Sequence, residues 1–182
     1  MKLSSKLRGP LRQHTNVREV SMIRKSKTDD KELIQHLMQL CFGDRSNLGP
    51  CEDLDGRYYL YFKDDILVAM TGLTSKSEYG HLEIEWTCTH PDYRHNGYMQ
   101  ELFTEMLSDV HEKVYCSCWR LPNSDRVNLQ TIMSLFGFEK VIPSRGHWKV
   151  PHNCFRDYEG GCSYYKDIGC ECYEDLFLRE GK

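Results

Sequence analysis

Apolar residues recur along the chain at two spacings, one strand-like and one helix-like, separated by polar breaks. Residues 17–24 are short, partly apolar and read as a first strand. Asp29 and Asp30 stand where helix-opening acids belong, and Leu33, Ile34, Leu37, Met38 and Cys41 then recur at helical spacing until Gly43. Residues 47–55, with Gly49 and Pro50, read as loop. Residues 57–62 and 66–73 predict two strands, joined by a polar hairpin turn of Lys63, Asp64 and Asp65. Another strand is predicted over 81–89. After Pro91 and a polar loop, a helix is predicted from Tyr98, with Met99, Leu102, Phe103, Met106, Leu107 and Val110 as its apolar face. Residues 114–119 predict a strand that Pro122 and Asn123 break. Residues 126–136 predict a helix closed by Gly137, and 138–142 and 176–178 return to the sheet. The order β-α-β-β-β-α-β-α-β-β predicts an α/β (α+β) domain, a mixed sheet flanked by helices.

Composition narrows the picture. A chain of 182 residues with 40% hydrophobic content suits one domain with a sizeable core. Its net charge of −3 argues against a nucleic-acid partner, and no stretch approaches the apolar length of a membrane span. Residues 1–16 carry Lys2, Lys6, Arg8 and Arg12 and read as a flexible basic arm before a domain over 17–182. They lack the apolar run of a secretory signal, so the nine cysteines are expected to be mostly reduced thiols in a cytoplasmic protein.

One stretch carries chemistry: Leu82-Glu-Ile-Glu-Trp-Thr-Cys-Thr-His-Pro-Asp-Tyr-Arg-His-Asn-Gly-Tyr-Met-Gln-Glu-Leu102. The strand ends near Thr89, Pro91 stops its ladder, and a short loop turns into a helix around Gly97. The first N–H groups of a helix have no partner within it and carry partial positive charge, so such an end accepts phosphate. Arg94 and His95 add donors, and Gly97 lets the backbone approach a diphosphate closely.

The run Thr89-His-Pro-Asp-Tyr-Arg-His-Asn-Gly-Tyr-Met99 resembles the acetyl-CoA-binding motif of the GNAT superfamily of N-acetyltransferases. Pro91, Arg94 and Gly97 match that motif at the right spacings, while Met99 stands where the family usually has Gly or Ala. Phe136-Gly-Phe-Glu139 is similar to the Gly-Phe that closes the family's fourth helix. The resemblance loosely covers residues 17–179. It implies a mostly antiparallel central sheet flanked by helices, with an insertion at about 143–169, rich in Cys, before the last strand.

It also implies an acetyl-CoA-dependent N-acetyltransferase with a small-molecule, peptide or protein amine as acceptor, and it leaves room for a homodimer. The cofactor's pantetheine and thioester would lie along the backbone of Thr87, Cys88 and Thr89. Its phosphates would meet Arg94, His95, Asn96, Gly97, Tyr98, Met99 and Gln100, and Asn128 or Asn123 would bind the pantetheine arm. Capping of the following helix is the competing reading for Asn123.

An amine with a pKa near ~10.4 must lose its proton before attacking a thioester. Glu83 and Glu85 lie on one strand face, which Thr87 and Thr89 are expected to continue. Glu83 falls where histone-type relatives carry their base and is the first candidate, with Glu85 second. Relatives often protonate the departing thiolate with a tyrosine where this chain has Met133. Tyr164, Tyr165 and Tyr173 are replacements without positional support. A catalytically silent acyl-CoA-binding module is the alternative reading.

Cys154, Cys162, Cys170 and Cys172, with His147 and His152, raise a further alternative, a zinc-stabilised interaction module. The spacings match no standard knuckle, so no metal site is expected. In the GNAT fold the last strand lies beside the fifth, which would set Cys170 and Cys172 opposite Cys116 and Cys118. Trp148, Phe155, Tyr158, Tyr164 and Tyr165 suit a lid over the acceptor pocket.

Overall fold

A computed structural model of the chain describes residues 20–42, 54–74, 80–120, 123–124, 129–145, 165–166, 169–170 and 173–181. The strands are β1 (Ser21–Lys25), β2 (Tyr58–Lys63), β3 (Ile66–Thr74), β4 (Leu82–Thr89), β5 (Val114–Arg120), β6 (Glu139–Arg145), β7 (Tyr165–Lys166), β8 (Gly169–Cys170) and β9 (Tyr173–Arg179). The helices are α1 (Lys31–Phe42), α2 (Tyr98–Ser108) and α3 (Gln130–Leu135). Seven strands form one sheet in the order β1-β2-β3-β4-β5-β9-β6, and β7 and β8 pair with each other. Every pair in the large sheet is antiparallel except β4 with β5.

Two apolar clusters sandwich the sheet. On one face Ile34, Leu37 and Met38 of α1 pack on Tyr58, Leu60, Met70 and Cys88. On the other, Leu102, Phe103 and Met106 of α2 and Met133 of α3 pack on Tyr61, Ala69, Ile84, Cys116 and Phe177. Of the α1 positions expected from helical spacing, Ile34, Leu37 and Met38 are buried while Leu33 is exposed, and the α2 positions Met99, Leu102, Phe103, Met106 and Leu107 are all buried. No described helix is long and apolar enough to cross a membrane.

The β2–β3 turn is shorter than expected, since Lys63 stays in β2 and only Asp64 and Asp65 turn. Both have positive φ, 47° and 65°, the twist a two-residue hairpin requires. The expected last strand, 176–178, extends over all of β9, because β9 finds partners on both sides, β5 and β6. Pro143, Ser144 and Arg145, expected to lie in the insertion, pair with Asp175, Glu174 and Tyr173. Pro143 is tolerated because β6 is an edge strand and needs no second ladder. Of the helix expected over 126–136, α3 covers Gln130–Leu135, and 126–128 fall outside the described residues.

The start of α1 is fixed by charge. The Asp30 carboxylate accepts hydrogen bonds from Arg24 Nη1 and Nη2, each at 2.7 Å, and from the Lys27 backbone N–H at 2.7 Å. The Arg24 guanidinium holds the Asp30 carboxyl below its usual range. Asp30→Asn is expected to cost about 1–2 kcal/mol in urea unfolding at neutral pH. A carboxyl with a depressed folded-state pKa stabilises fully above the ordinary carboxylate range and loses that effect as pH falls through the depressed value. The deficit of the variant is therefore expected to shrink below about pH 4.

Candidate active site

The register of β4 creates the site. Gly72 pairs with Glu85 and Met70 with Cys88, so β4 carries one residue more than β3 between those pairs. Trp86 absorbs the excess with φ 48°, a left-handed conformation that a bulky side chain seldom takes. On its other edge β4 pairs with β5 only from Leu82 to Ile84, against Val114 to Cys116. β5 continues to Arg120 with β9 as its partner. Past Ile84 the two parallel strands therefore part, and among the described residues no strand bonds the edge of β4 that faced β5. Backbone donors and acceptors of a parted strand invite an extended ligand with amide groups.

This unpaired edge leads directly into the helix start. Pro91–Tyr93 form a 3-10 turn, His95 has φ 65°, and Gly97, the N-cap of α2, has φ 85° with no side chain capping the helix. A Cβ at Gly97 would meet nothing within 4 Å, so glycine is required there by its backbone angle and not by crowding. Arg94, His95, Asn96, Gly97 and Gln100 are exposed and Tyr98 is half-buried. The loop is braced from inside: Asn96 Nδ2 donates to the carbonyls of Tyr93 (3.2 Å) and Arg94 (3.0 Å), and Arg94 Nε donates to that of Thr89 (3.3 Å). A set loop with an uncapped helix end can take a diphosphate without reorganising.

The Acetyltransferase (GNAT) family model matches residues 22–129, more than half the chain. The chain belongs to this family. A GNAT acetyltransferase from Bacillus cereus superposes with a TM-score of 0.60 at 16% identity, covering 90% of this chain and 99% of its own. Arabidopsis thaliana Naa50, solved with the bisubstrate analogue CoA-Ac-MVNAL, gives 0.60 at 12% identity, covering 88% and 98%. An aminoglycoside 6'-N-acetyltransferase solved with coenzyme A gives 0.58 at 10% identity, covering 87% and 96%. These likenesses show the shared fold. No curated protein matches the chain at a significant level.

Within this GNAT fold the expected site residues are partly brought together. Glu83 and Glu85 do share a face, opposite Thr74 and Gly72. Thr87 and Thr89 do not continue it. The extra residue at Trp86 flips the alternation, so Cys88 joins the glutamates on the α1 side, and Thr89, paired with Ala69, lies on the α2 side. The Thr87 hydroxyl is occupied by Thr71 Oγ1 at 2.9 Å and pins the bulge. Met99, which replaces a small family residue, turns its side chain into the core and leaves the loop uncrowded. Met133 is fully buried, so no acid stands at the family's tyrosine position. Tyr173 opens β9 opposite Arg120, whose guanidinium lies 4.3 Å from its ring centroid. Asn128, Tyr164 and most of the insertion lie outside the described residues, as do Cys154, Cys162 and Cys172. The positions opposite Cys116 and Cys118 belong to Phe177 and Asp175, which corrects the expected facing of Cys170 and Cys172. Among the described residues no group of His, Cys, Asp and Glu could hold a metal ion.

Three residues that the pattern did not single out shape the Glu85 carboxylate. Arg57 Nε donates to Glu85 Oε1 at 2.5 Å, and Tyr58 Oη donates to the same oxygen at 3.3 Å. Gly72 makes room for both Tyr58 and Glu85, since a Cβ there would fall 2.7 Å from Tyr58 Cε1 and 2.9 Å from Glu85 Cγ. A lone glycine inside an apolar strand was the available signal. Gly72→Ala is expected to destabilise the fold by about 1–3 kcal/mol through overpacking, read from the urea midpoint.

Proposed function

We propose that the protein is an N-acetyltransferase that moves an acetyl group from acetyl-CoA to a primary amine by direct attack. What carries this reading is the parting of β4 from β5 beside the uncapped start of α2. The N–H groups from His95 to Gln100 would hold the diphosphate, with Arg94 adding charge. The pantetheine arm would run along the free edge of β4 at Thr87, Cys88 and Thr89. A backbone N–H near the Trp86 bulge would receive the thioester oxygen as it becomes an oxyanion, where fixed donors contribute most.

Glu83 serves as base, directly or through one water, and takes the proton the ammonium must lose. Glu85, which Arg57 and Tyr58 engage, is the second candidate. Glu83 stands one residue before the last β4–β5 pair, at the throat of the opening. Attack of the neutral amine on the thioester carbonyl forms the amide and expels the CoA thiolate. With Met133 buried, water protonates that thiolate, which a low-pKa leaving group permits.

The acceptor is a small-molecule amine or a peptide or protein amine. Relatives of this fold include Naa50, solved with a peptide-bearing CoA analogue, and an aminoglycoside enzyme. A thiol-release assay over an amine panel tests the proposal. Release above background with at least one amine is expected. CoA binding without release for any amine would favour the silent module instead.

A further inference from the structure

One buried carboxylate ties together the strands that remain paired beyond the opening. Past Cys116, among the described residues, β5 no longer pairs with β4 and keeps only β9, its partner from Val114 to Arg120. The outer half of β5 therefore stands across the opening from the end of β4 and is held from one side. Asp175 of β9 is fully buried, and its Oδ2 receives both Arg120 Nε of β5 and Lys140 Nζ of β6, each at 2.8 Å. Arg120 Nη1 donates to the Ser124 carbonyl at 2.8 Å, in the connection that leads to α3. The guanidinium also lies 4.3 Å from the ring centroid of Tyr173. One side chain thus fastens the last residue of β5 to β9 and to the chain that leaves it.

Stability alone does not account for charges at this place. Removing a carboxylate and a guanidinium from water often costs more than their attraction returns, and apolar residues of similar volume can serve as well or better. Asp175 Oδ1 adds to that cost, because it is buried with no hydrogen-bond partner among the described residues. What such a network supplies is one defined geometry. A planar guanidinium with donors in a fixed fork meets its acceptors at one distance and one angle, whereas an apolar contact tolerates sliding. Elsewhere β5 takes its placement from ladders on both edges. Beyond Cys116 it has one ladder and this latch.

We infer, taking the opening to be the acetyl-CoA slot proposed for it, that Asp175 and Arg120 are positioning residues for the pantetheine arm. Asp175 acts through Arg120, and Arg120 through the end of β5 and the Ser124 carbonyl, which together set the wall that the arm meets. The start of α2 at Gly97 lies outside this network, since its loop is braced by Asn96 and Arg94. Cofactor affinity therefore divides into two shares. The share of the arm depends on the latch, and the share of the nucleotide does not.

The test replaces both partners by apolar residues in the full chain, Arg120→Met with Asp175→Leu. Lys140, whose side chain is 32% exposed, can turn to water in that variant. Its urea midpoint is expected to equal or exceed that of the unaltered protein. Its Kd for CoA by calorimetry is expected to rise about five-fold or more, with Kd for adenosine 3′,5′-bisphosphate, a nucleotide without pantetheine, within about two-fold. Arg120→Lys keeps the ion pair but cannot reach Ser124 as well, and it reads the same split should the double variant fail to fold. In the ligand-free protein, the amides from Ser117 to Arg120 should exchange hydrogen faster in the variant, with those from Arg94 to Gln100 unchanged. Unaltered protein that binds neither ligand would remove the acetyltransferase reading and the occupant of the slot with it. Where the unaltered protein binds both, unchanged CoA affinity in the folded variants, or equal loss for CoA and the bisphosphate, overturns the positioning role alone.

Discussion

Glu83→Gln is expected to lower kcat about 10²-fold or more at neutral pH while leaving cofactor affinity within about two-fold. The glutamine keeps the size and the strand but cannot take a proton. The acidic limb of the pH–rate profile should disappear with it, because that limb reports the ionisation of the base. An unchanged profile would remove Glu83 from the mechanism. Glu85→Gln supplies the comparison. Its partners Arg57 and Tyr58 lose a carboxylate, so the larger part of its effect should fall on stability and the smaller on the pH profile.

Gly97→Trp is expected to raise KM for acetyl-CoA by at least about ten-fold and to leave the fold intact. Gly97 has φ 85° and open space where a Cβ would project. Substitution therefore brings two separable effects, backbone strain of about 1–2 kcal/mol and a bulky side chain over the helix start. Gly97→Ala carries the first without the second. A KM that rises in the tryptophan variant far more than in the alanine variant identifies obstruction of the cradle. Equal KM values in both would mean that no ligand lies over this turn.

Much of this architecture was legible because local pattern and tertiary burial agree. The apolar stripe of α2 is the stripe that packs on the sheet, and Gly97 sits where its backbone angle demands. The acidic hairpin at Asp64 and Asp65 and the Gly137 turn after α3 are likewise local devices, and Gly137 has φ 76°. The bulge at Trp86 was not legible. Period-two alternation runs smoothly through Glu83, Glu85, Thr87 and Thr89, and no glycine marks the added residue. Only pairing with β3 reveals that the last two change sides. That one residue decides which groups lie on the α1 side of the sheet and which on the α2 side.

The central claim is that a diphosphate rests on the start of α2 while its pantetheine follows the free edge of β4. Backbone amide NMR during a titration with CoA tests it most directly. The amides from Arg94 to Gln100 and from Thr87 to Thr89 are predicted to shift together, saturating at one common ligand concentration, with those of β1 and the outer edge of β2 unmoved. Saturable shifts confined to other parts of the sheet, with the α2 start silent, would contradict the account.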